Sequence, residues 1–204
     1  MIFSYINLGE YEKAREIAEE MSGIYCTRDM LLPAATKDKE QELFLHQVNV
    51  VNFTDILINE IWRCVDFTDG PVEKQLELKL ILEKVMLTVL GEDPCFYNER
   101  LYDISIATAW EYTKLKRYDE AMDTLEKTLQ YAENFEERHT IGRYSVFWLD
   151  KLTSDPKAAV KNYEETLYDK MEVHLQNMCY HDGYYESNSR FNAIRKKVAA
   201  HRKG

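Results

Sequence analysis

Glycine and proline are scarce in this sequence, with seven Gly and four Pro among 204 residues. The turn-rich, alternating runs that a β-sheet would need are missing. Apolar residues recur instead at helical spacing along most of the chain. The sequence therefore predicts an all-α fold.

Paired cysteines, membrane-length apolar runs and a secretory leader are also lacking. The four cysteines are far apart and form no CxxC pair: Cys26, Cys64, Cys95 and Cys179. We expect reduced thiols, because a disulfide framework or a zinc site would need paired spacing. No stretch approaches the roughly 18 uninterrupted apolar residues of a membrane span, and the N-terminus lacks a charged leader with an apolar core. A cytoplasmic protein without a membrane partner is predicted.

Enzyme signatures are missing as well. The sequence has no Gly-rich phosphate loop, no G-x-S-x-G elbow and no H-E-x-x-H motif. His174, Met178 and His181, with Cys179 nearby, have a spacing compatible with a soft-metal site, but no carboxylate or thiol pair completes it. We therefore predict no enzyme, no catalytic residue, no metal and no cofactor, and we interpret the three tryptophans and fourteen tyrosines as helix packing.

Positive charge is in short supply over most of the chain. The net charge is -10, and residues 190–204 contain six basic residues and no acid, so the remainder carries -16. An acidic body repels phosphate backbones, and six charges at one end make a poor nucleic-acid surface. We predict that this chain alone does not bind nucleic acid.

One phrase occurs twice, at an offset of 107 residues. "INLGEYEKAREIAEEM" at 6–21 and "TKLKRYDEAMDTLEKT" at 113–128 share a Leu, a Tyr, an acid and an Ala: Leu8, Tyr11, Glu12 and Ala14 match Leu115, Tyr118, Asp119 and Ala121. The pattern is typical of a turn between two antiparallel helices, where Tyr packs back across the turn and Ala permits a close crossing. Tyr5 and Tyr112, each six residues before the second Tyr, extend the match.

The phrase resembles the tetratricopeptide repeat (TPR), a helix-turn-helix unit of about 34 residues. Leu125 satisfies the next signature position and Ala18 satisfies it poorly; a fainter third copy is "TSDPKAAVKNYEETL", opened by Pro156. The resemblance implies antiparallel hairpins stacked as a right-handed α-α superhelix in a single domain over 1–204. The alternative for each copy is an ordinary helical hairpin. The implied elements are hairpins over about 1–22, 96–133 and 137–178, and a capping helix over about 189–201.

Helical periodicity also divides the chain into consecutive segments. The stretch 40–65 has an apolar stripe spaced by seven, seven and four: Leu43, Val50, Leu57 and Ile61. The stretch 72–90 is apolar enough to be buried on more than one side, with Gly91 as its C-cap. Further helices are predicted over 96–115, 118–133, 137–152, 155–178 (behind Ser154 and Asp155 as N-cap candidates) and from Ser189, with a loop over "HDGYYESNS".

Nearly the whole chain also resembles the C-terminal half of XRE-type (phage-repressor-like) helix-turn-helix regulators of Gram-positive anaerobes. The resemblance rests on "LGEYEKAREIAEEM", "CTRDMLL", "FYNERLYDISIATAWEYTKLKRYDEAMDTLEKTLQYAENF" and "SRFNAIRKKV". In that family a DNA-binding head precedes a TPR-like tail that receives a peptide or protein signal, dimerises, or does both. No DNA-reading helix-turn-helix occurs in this sequence, so the family's DNA binding does not transfer to it.

The resemblance implies the sensor or dimerisation domain of a transcriptional regulator, with a peptide or protein ligand and a homodimer as an option. If Ala14 takes the repeat's Ala position, half of the first helix is absent, and we expect a segment upstream of Met1. The alternative is a stand-alone TPR-like scaffold that binds another protein through its concave side and has no role in transcription.

A polar line along the helix at 40–65 is the candidate peptide-binding site. Its members lie on one side of the helix, interrupted by Ile56: His46, Asn49, Asn52, Asn59 and Arg63. Asn is a poor helix former, whereas its amide both donates to and accepts from an extended peptide backbone, as asparagines on inner helices do in related peptide-sensing regulators. The alternative is a plain solvated face.

Overall fold

The computed structural model describes residues 2–20, 23, 27–66, 70–138, 141–154 and 165–201. The chain divides into two compact units, Met1–Asn49 and Val50–Gly204. The described residues are mostly helical, with one short two-stranded ladder, so the predicted all-α class is confirmed.

The first unit begins with a helical hairpin. Its helices are α1 (Ile2–Asn7), α2 (Tyr11–Glu19), α3 (Arg28–Ala34) and the first part of α4 (Lys39–Asp66). The α1–α2 turn is closed by the Glu10 N–H, which donates to the Tyr5 carbonyl at 2.9 Å. Gly9 has a φ of 75°, a left-handed conformation that most side chains resist. The turn therefore forms where the repeated phrase predicts it.

The second unit contains the rest of α4 and most of the buried core. Its other elements are α5 (Val72–Leu90), α6 (Asn98–Lys114), α7 (Tyr118–Glu136), β1 (Gly142–Arg143), β2 (Thr153–Ser154), α8 (Leu167–His181), α9 (Tyr184–Ser187) and α10 (Ser189–His201), with 3-10 turns at Cys95–Tyr97 and Phe147–Leu149. Gly91 ends α5 as predicted, with its N–H donating to the Leu87 carbonyl. The helix α10 buries the expected stripe: Phe191, Ile194 and Val198.

The α6–α7 hairpin forms the centre of this unit. The Arg117 N–H donates to the Tyr112 carbonyl at 2.9 Å, and Lys116 takes the left-handed position with a φ of 57°. Ala121 and Leu125 are fully buried. Ala121 contributes to one apolar cluster with Tyr112 and with Leu76 of α5. The small residue thus lies at a close helix crossing, as the phrase predicts.

The buried face of α4 differs from the predicted apolar stripe. Leu43 and Leu57 are 45% and 48% exposed, whereas Val51, which widens the predicted stripe, is buried together with Gln47, Thr54 and Ile58. The helix has apolar side chains on more than one side, so its neighbours decide which side is covered. Burial on two sides of α5 is also wrong, because Leu80 and Ile81 are exposed.

The helix predicted over 137–152 is wrong, and with it the first half of the third repeat. Gly142–Arg143 pairs antiparallel with Thr153–Ser154. A Cβ at Gly142 would lie 2.7 Å from the Cys95 sulfur, so a side chain at this position would displace its neighbours. Trp148 also donates its indole N–H to the Val89 carbonyl at 2.8 Å. β-branched and aromatic residues are concentrated over 140–148, and these favour extended backbone.

The helix predicted over 155–178 is described only from residue 165 onward. Residues 155–164, which include Asp155 and the third copy's Ala and Tyr, lie outside the described residues. The described helix α8 starts at Leu167 behind Thr166, which forms a capping box with Asp169. The loop predicted over "HDGYYESNS" contains the short helix α9.

Candidate groove on helix α6

One face of α6 is left uncovered between α4 and α8. The opening has a volume of about 420 Å³ and is lined by Trp62 of α4, by His174 of α8 and by six residues of α6: Arg100, Asp103, Ile106, Ala107, Trp110 and Glu111. The α6 residues recur every three or four positions, which places them on one side of the helix. We call this opening the α6 groove.

A second depression continues the groove toward the N-terminus of α6. It has a volume of about 290 Å³, it shares Arg100 and Asp103 with the first opening, and its other lining residues are Asp55, Phe96, Tyr97 and Glu99. The combined space is within the range of sites that hold small ligands or short peptide segments.

Most charges around the groove are compensated by a neighbour. Arg100 lies 3.6 Å from Asp55, and Lys170 lies 3.6 Å from Glu99. Glu111 accepts hydrogen bonds from Lys79 at 2.8 Å and from Lys114 at 2.9 Å. Burial opposes ionisation of Glu111, but these two hydrogen bonds outweigh it and hold its pKa below the ordinary value.

Asp103 is the exception. It is half-buried at the junction of the two depressions, and it has neither a hydrogen bond nor an ion pair within the described part of the chain. Burial raises the pKa of its carboxyl group, although the nearby positive charges of Lys170 and Arg100 work in the opposite direction. The floor of the groove therefore carries a carboxylate that nothing neutralises directly.

His174 forms the α8 wall in its neutral state. The Trp110 indole N–H donates to His174 Nδ1 at 3.2 Å, so Nδ1 carries no proton and the ring proton lies on Nε2. Burial lowers the pKa of His174, which favours the same neutral form. The histidine consequently supplies no positive charge to the groove near pH 7.

The predicted polar line of α4 is divided between the two units. His46 is exposed, and Asn49 donates to the Asp29 carbonyl at 2.7 Å within the first unit. In the second unit Asn52 is exposed, and Arg63 lies 3.1 Å from Glu60.

Asn59, the remaining member, lies beside the α6 groove. Its amide is 3.4 Å from the Asp55 carboxylate, which lines the second depression. Asn52, Asn59 and Arg63 are all absent from the groove's lining residues. The members of the polar line therefore have separate surroundings. Peptide binding by this line stays a prediction.

Sequence reasoning did not identify the groove residues. Trp62 and Trp110 were interpreted as packing, and Asp103 was one acid among many. The usable signal was a set of polar and aromatic residues at positions 99, 100, 103 and 110, with the small Ala107 on the same side, on a helix whose other sides are buried. Periodicity reports that a helix has two kinds of face, but only tertiary structure shows which face is left open.

Two of the basic residues near the end of the chain lie close to acids. Arg190 lies 2.7 Å from Asp123 and 2.9 Å from Glu126, and Arg195 lies 3.6 Å from Glu172. Within the described ranges no cluster of three His, Cys, Asp or Glu residues is arranged to hold a metal ion. No helix in those ranges has the length and apolar character to span a membrane.

Comparisons with family models, with curated proteins and with solved structures find no match to this chain. The likeness to tetratricopeptide repeats and to XRE-type regulators therefore stays a prediction carried by the quoted motifs. The chain's own residues, above all those of the α6 groove, supply the evidence for a function.

Proposed function

We propose that this chain is a protein- or peptide-interaction domain, the sensor or dimerisation portion of a transcriptional regulator. It acts in the cytoplasm by binding and not by catalysis. The observation that carries the proposal is the α6 groove, an uncovered helix face with two indoles, several polar groups and room for a peptide segment.

The hairpin geometry supports a TPR-like arrangement for this domain. In stacked helical hairpins the first helices line the concave side, and α6 is the first helix of the hairpin that carries the repeated phrase. The groove follows α6 over about three turns, which is long enough for a short extended peptide to bind along it.

Selection from a random linear-peptide display library tests the groove. We expect selected peptides to bind the wild-type chain and to lose at least about tenfold in affinity to Ala107→Phe, because the larger side chain fills the space beside Trp110. Ala193→Phe, an exposed position on α10, is the matched control and should bind like wild type. Equal peptide affinity for Ala107→Phe and wild type, or the absence of any selectable peptide, would contradict peptide binding in the α6 groove.

A reporter assay separates the regulator from the alternative, a stand-alone scaffold without a role in transcription. The chain is fused behind a heterologous DNA-binding domain, and the selected peptide is co-expressed. A regulator's sensor should change reporter output with the peptide and not with a scrambled peptide. Binding without any change in output would favour the scaffold.

The chain without the fusion should not bind duplex DNA, given its acidic body.

A separate surface supports the dimerisation part of the proposal. An apolar depression of about 410 Å³ on α5 is lined by Leu76, Leu80, Ile81 and Leu115, with charged residues at its edge. Exposed apolar faces of this kind occur at contacts between protein chains. If this face forms a homodimer, sedimentation should give a dimer for the wild type and a monomer for Ile81→Glu, whereas a wild-type monomer at high concentration would exclude it.

A further inference from the structure

We propose that the α6 groove binds a basic side chain, lysine or arginine, of its peptide ligand, with the charged head at Asp103 and the aliphatic stem across Ala107 and Trp110. The inference rests on the proposed peptide-binding function and names the chemistry that this site selects. It follows from the charges and shapes of the groove residues.

The charges around the groove favour a basic ligand over the other ligand classes. Asp55, Glu99 and Glu111 each have a basic partner within 3.6 Å, whereas Asp103 has none within the described part of the chain. An anionic group would be repelled by Asp103, and a neutral one would shield the carboxylate from water without compensating its charge. A cation both compensates the charge of Asp103 and donates a charge-assisted hydrogen bond to it.

The aromatic residues favour the same ligand. Trp62 and Trp110 line the same opening as Asp103, and indole faces attract cations. Ala107 and Trp110 follow Asp103 at intervals of about one turn along the same side of α6, and both line the opening. The small Ala107 leaves space between Asp103 and Trp110, and a long basic side chain is able to lay its methylene groups there while its head reaches the carboxylate.

The cost of Asp103 to the fold supports a role in binding. A half-buried carboxylate without a partner is less stable than a neutral group of the same shape. Replacing it by Asn should therefore keep or raise the unfolding midpoint while it removes the charge. Loss of binding with unchanged or increased stability distinguishes a binding residue from a structural one.

The experiment uses defined probes, the acetylated and amidated peptides Ala-Ala-X-Ala-Ala with X as Lys, Arg, Gln or Glu. Binding is followed by NMR of the indole N–H signals of Trp62 and Trp110, while Trp148, bonded to Val89, serves as the internal control. We expect the Lys or Arg peptide to bind about tenfold or more tightly than the Gln peptide, and the Glu peptide to bind least.

Three variants test the assignment. Asp103→Asn should abolish the preference for Lys or Arg over Gln, Asp103→Lys should reverse it in favour of Glu, and Asp119→Asn, an exposed acid on α7 with the same change in net charge, should leave it intact. Equal affinity for Lys and Gln, a preference that persists in Asp103→Asn, or no shift of Trp62 and Trp110 with any probe would overturn the inference.

Failure of this inference differs from failure of the proposed function. If library-selected peptides bind and are blocked by Ala107→Phe, but lack basic residues and ignore Asp103→Asn, the groove binds peptides without a cation preference. If Ala107→Phe blocks nothing, the groove itself is not the binding site. The two experiments therefore give separate answers.

Discussion

The two copies of the repeated phrase form the same turn in different surroundings. In each copy the residue after the left-handed position donates to a tyrosine carbonyl at 2.9 Å, Glu10 to Tyr5 and Arg117 to Tyr112. The helices end and resume at equivalent residues, since α1 ends at Asn7 and α6 at Lys114. The local backbone thus follows the phrase at both sites.

Burial separates the copies. In the first unit Leu8 and Tyr11 are 73% and 66% exposed. In the second unit the matching residue Tyr118 is half-buried, donates to Asp182 at 2.7 Å and stacks on Tyr184 with ring centroids 4.0 Å apart. The same local phrase therefore contributes a surface turn in one unit and a packed junction in the other. Hydrogen bonds within the turn fix its shape, whereas its share of the stability depends on neighbouring elements.

Removing the support under the second copy should have the largest effect. Lys79 of α5 lies 2.8 Å from Glu111, one residue before Tyr112, and both side chains are less than 10% exposed. Lys79→Ala leaves Glu111 buried with Lys114 alone, so we expect a loss of about 3 kcal/mol in the free energy of unfolding, measured in urea. Lys74→Ala, whose exposed pair with Glu77 is on the same helix, is the control and should cost less than about 1 kcal/mol. Equal effects would show that the buried pair adds nothing.

Enlarging the small residue at the helix crossing should have the next largest effect. Ala121 has no exposed surface, and Leu adds three carbon atoms where α5, α6 and α7 meet. Ala121→Leu should destabilise the second unit by about 1 to 3 kcal/mol in urea unfolding. The exposed Ala199→Leu on α10 provides the comparison and should be nearly neutral. A wild-type midpoint for Ala121→Leu would mean that the crossing has spare room.

Exchanging the left-handed residues tests the shared turn directly. Gly9→Lys should weaken the first turn by about 1 kcal/mol, because Gly9 has open space around it and only the backbone conformation opposes a side chain. Lys116→Gly should strengthen the second turn by about 0.5 to 1 kcal/mol for the same reason. Amide hydrogen exchange of Glu10 and Arg117 measures both. If the two turns are equivalent, the two substitutions should change the stability of their turns in opposite directions.

A smaller, pH-dependent effect on the stability of the second unit is expected from His174 of α8, which accepts a hydrogen bond from Trp110 of α6. The pKa of His174 lies below its ordinary value of 6.5 because of burial, so the unfolded chain binds a proton before the folded one does. The stability that neutral His174 contributes is complete above about pH 6.5 and declines as the pH falls toward the folded pKa.

The control for this effect is His174→Asn, which keeps a hydrogen-bond acceptor for Trp110 and does not titrate in this range. Urea midpoints measured between about pH 7 and pH 5 should fall more steeply for the wild type than for the variant. An equal pH dependence of the urea midpoint in the two proteins would show that burial and the hydrogen bond from Trp110 do not keep His174 neutral.

Local signals predicted the helices well. The bounds of α5 and the start of α7 follow from periodicity, from Gly91 and from the polar turn before Tyr118. The prediction failed over 137–152, where the amphipathic spacing suggested a helix. There the strand pairing joins residues ten and twelve positions apart, and the close approach of Gly142 to Cys95 involves a different element. The predicted helix 137–152 contains neither the second strand at Thr153–Ser154 nor Cys95, so local periodicity does not reveal these contacts.

The sequence by itself determined the helical class, the two matching turns and the acidic character of the chain, because these depend on hydrogen bonds over a few residues and on composition. The tertiary structure decided which side of α4 is buried, where the strand ladder replaces a helix, and that the uncovered face of α6 brings Asp103 and Trp110 together with Trp62. These outcomes depend on residues far apart in the sequence. Apolar and polar side chains occur on several faces of each helix, and only the packing of neighbouring helices selects the face that stays open.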